Sequence, residues 1–159
     1  MADQNQLVQA REVFKTLCEM LDACDWTYDK DEETLSIQSG AKGDDFPVDI
    51  RMVVDVERML VVLYSKLPFT VPEDKRIEAS IAISVINYTI VDGSFDYNLL
   101  NGNIIFRLTS SFRESMIAAT ALEYMLYVSC NTVDEYNDKL FMLCKGALSL
   151  EDIIKAANK

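Results

Sequence analysis

The first part of the chain carries apolar residues at intervals of three and four. Between about Asp3 and Leu21 these positions include Leu7, Val13 and Leu17. Residues with this spacing lie on one face of an α-helix. The pattern therefore predicts an amphipathic first helix.

After this helix the pattern changes to alternation. Short alternating runs begin at Trp26 and Leu35, and the charged segment 29–33 separates them. This arrangement predicts a β-hairpin. Residues 46–67 predict two further strands, the first alternating and the second apolar on both faces, as in a central strand.

Pro68 and Pro72 predict the end of this sheet, and Pro72 also suits the first turn of a second helix. That helix should continue to about Ile90. Its apolar residues form two stripes on roughly opposite sides, so one should meet the sheet and the other needs a neighbouring helix or a second subunit. The stripes are Ile77, Ile81, Val85 and Tyr88, and Ala79, Ile83, Ile86 and Ile90.

Asn101-Gly102 lies between two alternating runs, 95–99 and 104–108. Asn-Gly in this position is a strong hairpin signal. Ser111 and Glu114 then have the spacing of a capping box, which predicts the start of a long helix.

The long helix should continue to Cys144 or break near Asn131. Gly146 predicts its end, and Ser149 predicts the cap of a last short helix at 150–157. The element order is α-β-β-β-β-α-β-β-α-α over the whole chain of 159 residues. We expect a single α+β domain with an antiparallel sheet and helices packed mainly on one face.

The stretch from Ile86 to Leu108 resembles the YbjN-like family. The likeness comes from an asparagine near the helix end, a Gly-x-Phe before the next strand, and a second glycine in the hairpin. The resemblance implies a type III secretion chaperone-like fold, whose members are small, acidic and often dimeric. The secretion chaperones bind extended segments of effector proteins, and YbjN-like proteins are described loosely as sensory transduction regulators.

The formal net charge is −11, from 26 acidic and 15 basic residues. Nucleic-acid binders usually present a basic stripe, but the lysines and arginines here are scattered, so we expect no nucleic-acid partner. No run reaches the roughly 18 apolar residues of a membrane helix, so we expect no membrane partner. The first residues lack the pattern of a secretory signal, which favours a cytoplasmic location.

The sequence contains no histidine, which excludes Ser-His-Asp and Cys-His catalysis. The four cysteines form no Cys-x-x-Cys motif, and we expect Cys18 and Cys130 to fill the core. The acidic groups at 29–33 and 44–45 lack calcium-loop spacing and suit a hairpin tip and a loop. We therefore expect no catalytic, metal or cofactor-binding residue and no cofactor, although paired carboxylates leave catalysis formally open.

A binding surface has more support than a catalytic site. The sheet face away from the helices should carry apolar residues and arginines typical of interfaces, unless the last helix or a loop covers it. This face comprises Arg51, Val53, Val62, Tyr64, Ile105 and Arg107. A second candidate surface, on the long helix, comprises Tyr124, Tyr127 and Tyr136, whose alternative role is core packing.

These features favour a non-enzymatic interaction module, chaperone-like or regulatory, that binds a protein or peptide segment and forms a homodimer. Its negative field should favour basic partners. The alternative is a sensor of a small ligand or signal, with a pocket between the helices and the sheet.

Overall fold

The computed structural model describes residues 4–157 and shows an α+β protein with all its strands in one antiparallel sheet. Asp3, the expected start of the first helix, lies outside the described residues. The helices are α1 (Gln4–Ala23), α2 (Arg76–Thr89), α3 (Ala119–Cys144) and α4 (Leu150–Ala157), with a 3-10 turn at Glu73–Lys75. The strands are β1 (Tyr28–Asp31), β2 (Ser36–Ala41), β3 (Val48–Asp55), β4 (Leu60–Thr70), β5 (Ser94–Tyr97) and β6 (Asn103–Ser111).

The spatial order of the strands is β1-β2-β3-β4-β6-β5. The expected fold class and element order are confirmed. Helices α1 and α3 pack together against the middle of the sheet, whereas α4 packs against α2. The strands alternate accordingly, with Ile50, Met52 and Leu63 fully buried against the helices.

The sheet does not end at Pro68, as the sequence suggested. β4 continues through this residue to Thr70, and the pairing with β6 shifts register between Lys66 and Thr70. Such an irregularity accommodates a proline, which has no N–H to donate to a ladder. The following helix begins at Arg76, after a 3-10 turn, and not at Pro72.

The predicted capping box at Ser111 and Glu114 is also wrong. Ser111 is the last residue of β6, and the N–H of the buried Phe112 donates to the carbonyl of Met59 at 3.0 Å. Glu114 has a φ of 54°, which is incompatible with a right-handed helix. Helix α3 therefore starts five residues later than this glutamate, at Ala119.

The end of the chain agrees closely with the prediction. Helix α3 is continuous through Asn131, and Gly146 ends it with a φ of 72°. The Ser149 hydroxyl accepts from the Asp152 N–H at 3.2 Å, while the Asp152 carboxylate accepts from the Ser149 N–H at 3.0 Å. This reciprocal pair is a capping box for α4.

The residues that resemble the YbjN-like family hold the turn from α2 into β5. The Asn87 side chain accepts from the Phe95 N–H at 2.8 Å and donates to the Phe95 carbonyl at 3.0 Å, as a neighbouring strand would. Gly93 has a φ of 78°, and a Cβ there would collide with the Phe106 ring. The motif therefore serves the fold.

Candidate functional site

The sheet face opposite the helices carries all six residues of the first candidate surface. Arg51, Tyr64 and Arg107 are successive Cα partners across β3, β4 and β6. Two residues further along β3 and β4, Val53 pairs with Val62. Because partners in register point to the same side of a sheet, these side chains form a continuous surface.

The charged residues of this face differ in their bonding. Arg107 Nε lies 2.8 Å from Asp96 Oδ2, so this guanidinium is already paired. Within the described residues, Arg51 and Lys66 have no ion pair within 4.0 Å. Hydrogen bonds from Thr34 are the main cause of the lowered pKa of the Asp31 carboxyl, and the positive charge of Arg51 lowers that pKa slightly further. Two cations on this face thus remain available to a partner.

A shallow depression of about 470 Å³ lies in the middle of this face. We call it the sheet-face groove, and its lining residues are Asp49, Arg51, Val53, Tyr64, Lys66 and Ile105. Apolar side chains form its centre and opposite charges flank them. This composition suits a polypeptide segment with mixed side chains.

A second opening lies where β3 and β4 diverge. Their pairing extends from Asp55–Leu60 to Arg51–Tyr64 and stops there. Residues 48–50 and 65–70 continue as strands but do not pair with each other. Between them is a cavity of about 750 Å³, which we call the strand cleft.

The walls of the strand cleft are mainly apolar and include Val48, Leu67 and Phe69. Phe69 is part of an aromatic cluster with Phe46 and Phe141. Its ring centroid lies 5.3 Å from that of Phe141 and 6.0 Å from that of Phe46, and the centroids of Phe46 and Phe141 are 5.1 Å apart. This cluster supports the helix side of the cleft. Asp49 and Lys66 line both the strand cleft and the sheet-face groove, so the two depressions are adjacent.

The tyrosines of α3 do not form one surface. Tyr124 is exposed and donates to Asp92 at 2.6 Å, and Tyr127 packs edge-on against Trp26. Tyr136 is only 7% exposed and packs in the core, so in the folded chain its side chain is not accessible to a partner. The helix surface proposed from the sequence is corrected to its first two residues.

One stripe of α2 remains uncovered by the described residues. Ala79, Ile83 and Ile86 are buried in the core. On the other side, Ile77 is 66% exposed and Tyr88 is 90% exposed. We call this side the α2 stripe; its residues are Ile77, Ile81, Val85 and Tyr88.

A smaller pocket of about 240 Å³ lies between α1 and the β1–β2 hairpin. Phe14, Cys18 and Leu35 form its apolar part, and charged residues surround it. Its position agrees with the pocket expected between helices and sheet. Its volume is below the range of about 300–1,000 Å³ that is usual for small-molecule sites.

The cysteines lie in environments that favour the thiol. Burial raises the pKa of Cys130 to about 11 and also raises the pKa of Cys18 and Cys144. A thiol with a raised pKa is a weak nucleophile near neutral pH. Between residues 4 and 157 there is no cluster of three or more acidic or cysteine side chains suited to a metal ion. None of the helices in that range is long and apolar enough to cross a membrane.

This architecture is the YbjN-like, type III secretion chaperone-like fold. One similar solved structure is YbjN from E. coli, proposed as a transcription regulator, with 12% identity, a TM-score of 0.58, and coverage of 77% of this chain and 87% of that chain. Another is the ExsC–ExsE complex, with 13% identity, a TM-score of 0.58, and coverage of 81% and 93%. No family model and no curated protein matches the sequence. At these identities the likeness concerns the fold.

Proposed function

We propose that this protein is a non-enzymatic interaction module, chaperone-like or regulatory, that binds an extended segment of another protein on its open sheet face. The observation that carries the proposal is that the sheet-face groove and the strand cleft lie side by side and share Asp49 and Lys66. The similar structure in which ExsC is bound to ExsE gives the fold a precedent for a protein partner.

The groove suits such a segment because it combines apolar contact with unpaired charge. Val53, Tyr64 and Ile105 line the groove and are only partly buried, so their apolar surface is accessible to a partner. Val62, the neighbour of Val53 on this face, is only 5% exposed and offers a partner little surface. Arg51 and Lys66 add charges that fix the orientation of the bound segment.

The test measures binding of fluorescein-labelled, capped peptides of about ten residues, the length of a long strand, with valine alternating with polar residues. Replacing both Tyr64 and Ile105 with alanine should weaken binding at least about tenfold, because each side chain contributes on the order of 1 kcal/mol or more of burial. Tyr124→Ala removes an exposed tyrosine on the helix side and should leave affinity unchanged. No binding by any peptide, or equal loss in both variants, would contradict the proposal.

We also propose that the protein is a homodimer joined through the α2 stripe. A second copy would cover Ile77 and Tyr88, which are exposed in the single chain. Residues 79–91 contain no charged side chain. In a chain with a net charge of −11, this uncharged surface lets two copies approach without close like-charge pairs.

Light scattering after size exclusion tests the dimer. The wild-type protein should have twice the chain mass of 18.0 kDa, and Ile81→Glu should give the single-chain mass, because two-fold symmetry places a carboxylate from each copy in the same apolar contact. Ile105→Glu, on the sheet face, should remain dimeric. A monomeric wild-type protein, or a dimer that survives Ile81→Glu, would place self-association elsewhere or exclude it.

The second candidate function is a small-ligand sensor, favoured by the 750 Å³ volume of the strand cleft. A ligand that binds only the folded state raises the melting temperature by mass action. A thermal-shift screen of metabolites and nucleotides distinguishes the two candidates. A saturable rise that Thr70→Trp abolishes, at an exposed position of the cleft lining, together with no peptide binding, would favour the sensor.

A further inference from the structure

The strand cleft exposes backbone edges in the interior of a sheet. β3 pairs with β2 along residues 48–50, and β4 pairs with β6 up to Lys66 and again at Thr70. On the sides that face each other, these ends have no strand partner among residues 4–157. Backbone N–H and C=O groups at an unpaired edge are a template for another strand.

The cleft is bounded so that its pairing capacity is small. Pro47 and Pro68 line the two opposing sides, and proline has no N–H to contribute. Prolines at an edge limit indiscriminate strand association. A short, specific segment fits this arrangement better than a long open edge would.

The side chains around the cleft indicate the chemistry of the segment. Pro47, Pro68 and Phe69 provide accessible apolar surface, whereas the side chains of Val48 and Leu67 are buried in the core beneath it. The Asp49 carboxylate at the rim accepts from Gln38 Nε2 at 2.5 Å, which satisfies part of its bonding capacity. Lys66, at the same rim, is exposed and has no ion pair within the described chain. Asp49 keeps its negative charge, but Lys66 is the charged side chain of the rim that has neither a hydrogen bond nor an ion pair among the described residues, so an acidic side chain placed beside Lys66 would be complementary.

We propose that an extended segment of the partner protein lies in the strand cleft as an added strand between the diverging ends of β3 and β4, with apolar side chains on the cleft walls and an acidic side chain at Lys66. This inference rests on the proposed function and specifies the partner's binding mode. A second copy of the chain is less suitable, because the dimer surface that we propose lies on α2, on the other side of the sheet.

The experiment compares three capped peptides that share one alternating valine pattern and carry glutamate, glutamine or lysine at the polar positions. Affinity is measured at about 0.15 M salt, where charges beyond roughly 8 Å are largely screened. The glutamate peptide should bind about five- to tenfold more tightly than the lysine peptide. The amides of residues 48–50 and 65–70 that face the cleft, Pro68 having none, should exchange hydrogen at least about tenfold more slowly when it is bound.

Charge reversal supplies the matched variants. Lys66→Glu should remove or invert the preference for glutamate, whereas Arg11→Glu makes the same change in net charge on the exposed side of α1 and should preserve it. Peptide binding without protection at 48–50 and 65–70 would overturn the added strand but leave the proposed function intact. Equal affinity for all three peptides would overturn the acidic segment, and no binding at all would contradict the proposed function itself.

Discussion

Replacing Asn87 with alanine should destabilise the fold by about 2–4 kcal/mol. The change removes two hydrogen bonds to Phe95, of 2.8 and 3.0 Å, that join the end of α2 to edge strand β5. Each bond contributes a net 0.5–1.5 kcal/mol or so, and each backbone group left unpaired in a partly buried site costs roughly 1–3 kcal/mol. Asn87 itself is half-buried, so water can enter the space that its side chain leaves, and the lower part of the combined range is expected.

Urea unfolding followed by circular dichroism measures this loss. In a chain of this size, 1 kcal/mol corresponds to about 2–4 °C of melting temperature, so the variant should melt roughly 5–15 °C lower. Asn87→Asp is a sharper probe because it keeps the acceptor for the Phe95 N–H but faces a carboxylate oxygen toward the Phe95 carbonyl. Its deficit should shrink as pH falls, since protonation restores the donor and stabilises the folded state below its raised pKa.

The control is Asn131→Ala, at an exposed position of α3, which should change stability by less than about 0.5 kcal/mol. If Asn87→Ala loses under about 1 kcal/mol, or if the aspartate variant shows no dependence on pH, the two bonds do not stabilise the turn as argued.

Three further predictions concern stability. Gly93→Ala should cost about 2 kcal/mol or more in urea unfolding, because of its positive φ and the collision with Phe106; a smaller loss would show that the turn relaxes. Asn137→Leu should raise the free energy of unfolding by about 1–2 kcal/mol, since both amide atoms are buried without a protein partner, and a fall would show that an ordered water satisfies them. The Ser149 hydroxyl and N–H lower the pKa of Asp152, so its contribution is present above about pH 4 and is lost as pH falls through the folded pKa. Asp152→Asn should therefore melt lower than wild type at pH 7, and the two curves should converge in acid.

The elements that the sequence predicted well are those encoded by neighbouring residues. The capping box of α4 requires only Ser149 and Asp152, three positions apart, and the β5–β6 hairpin requires a glycine with positive φ at Gly102. The two stripes of α2 also follow from helical spacing alone. In each case the local preference and the final fold agree.

The elements that were wrong depend on distant contacts. Ser111 and Glu114 have the same capping spacing as the pair that caps α4, but Phe112 is fully buried and its N–H bonds to Met59. Burial of a phenylalanine and a completed ladder outweigh a cap worth about 1 kcal/mol. Pro68 was misread because the strand shift that accommodates it depends on β6, far along the chain.

The open sheet face could be predicted because side chains alternate between the two faces of a strand with a period of two. That period places Arg51, Tyr64 and Arg107 on the same face. The strand cleft could not. It exists because β3–β4 pairing stops at Arg51–Tyr64 while both strands continue. Where a pairing stops is a property of two strands and their neighbours together, and Pro47 and Pro68 are the one local signal of it.

The charge of a binding site is likewise not set by the charge of the chain. A net charge of −11 favoured basic partners, yet the strand cleft presents Lys66 without an ion pair and an Asp49 already bonded to Gln38. At physiological salt the screening length is about 8 Å, so charges within the cleft outweigh distant carboxylates once a segment is bound. The overall field still acts on approach. An acidic segment should therefore associate slowly at low salt and faster as salt rises, because salt screens its repulsion by the acidic chain. A basic segment attracted to the acidic surface should show the reverse, with slower association as salt rises, so the salt dependence of the association rate distinguishes the two modes of binding.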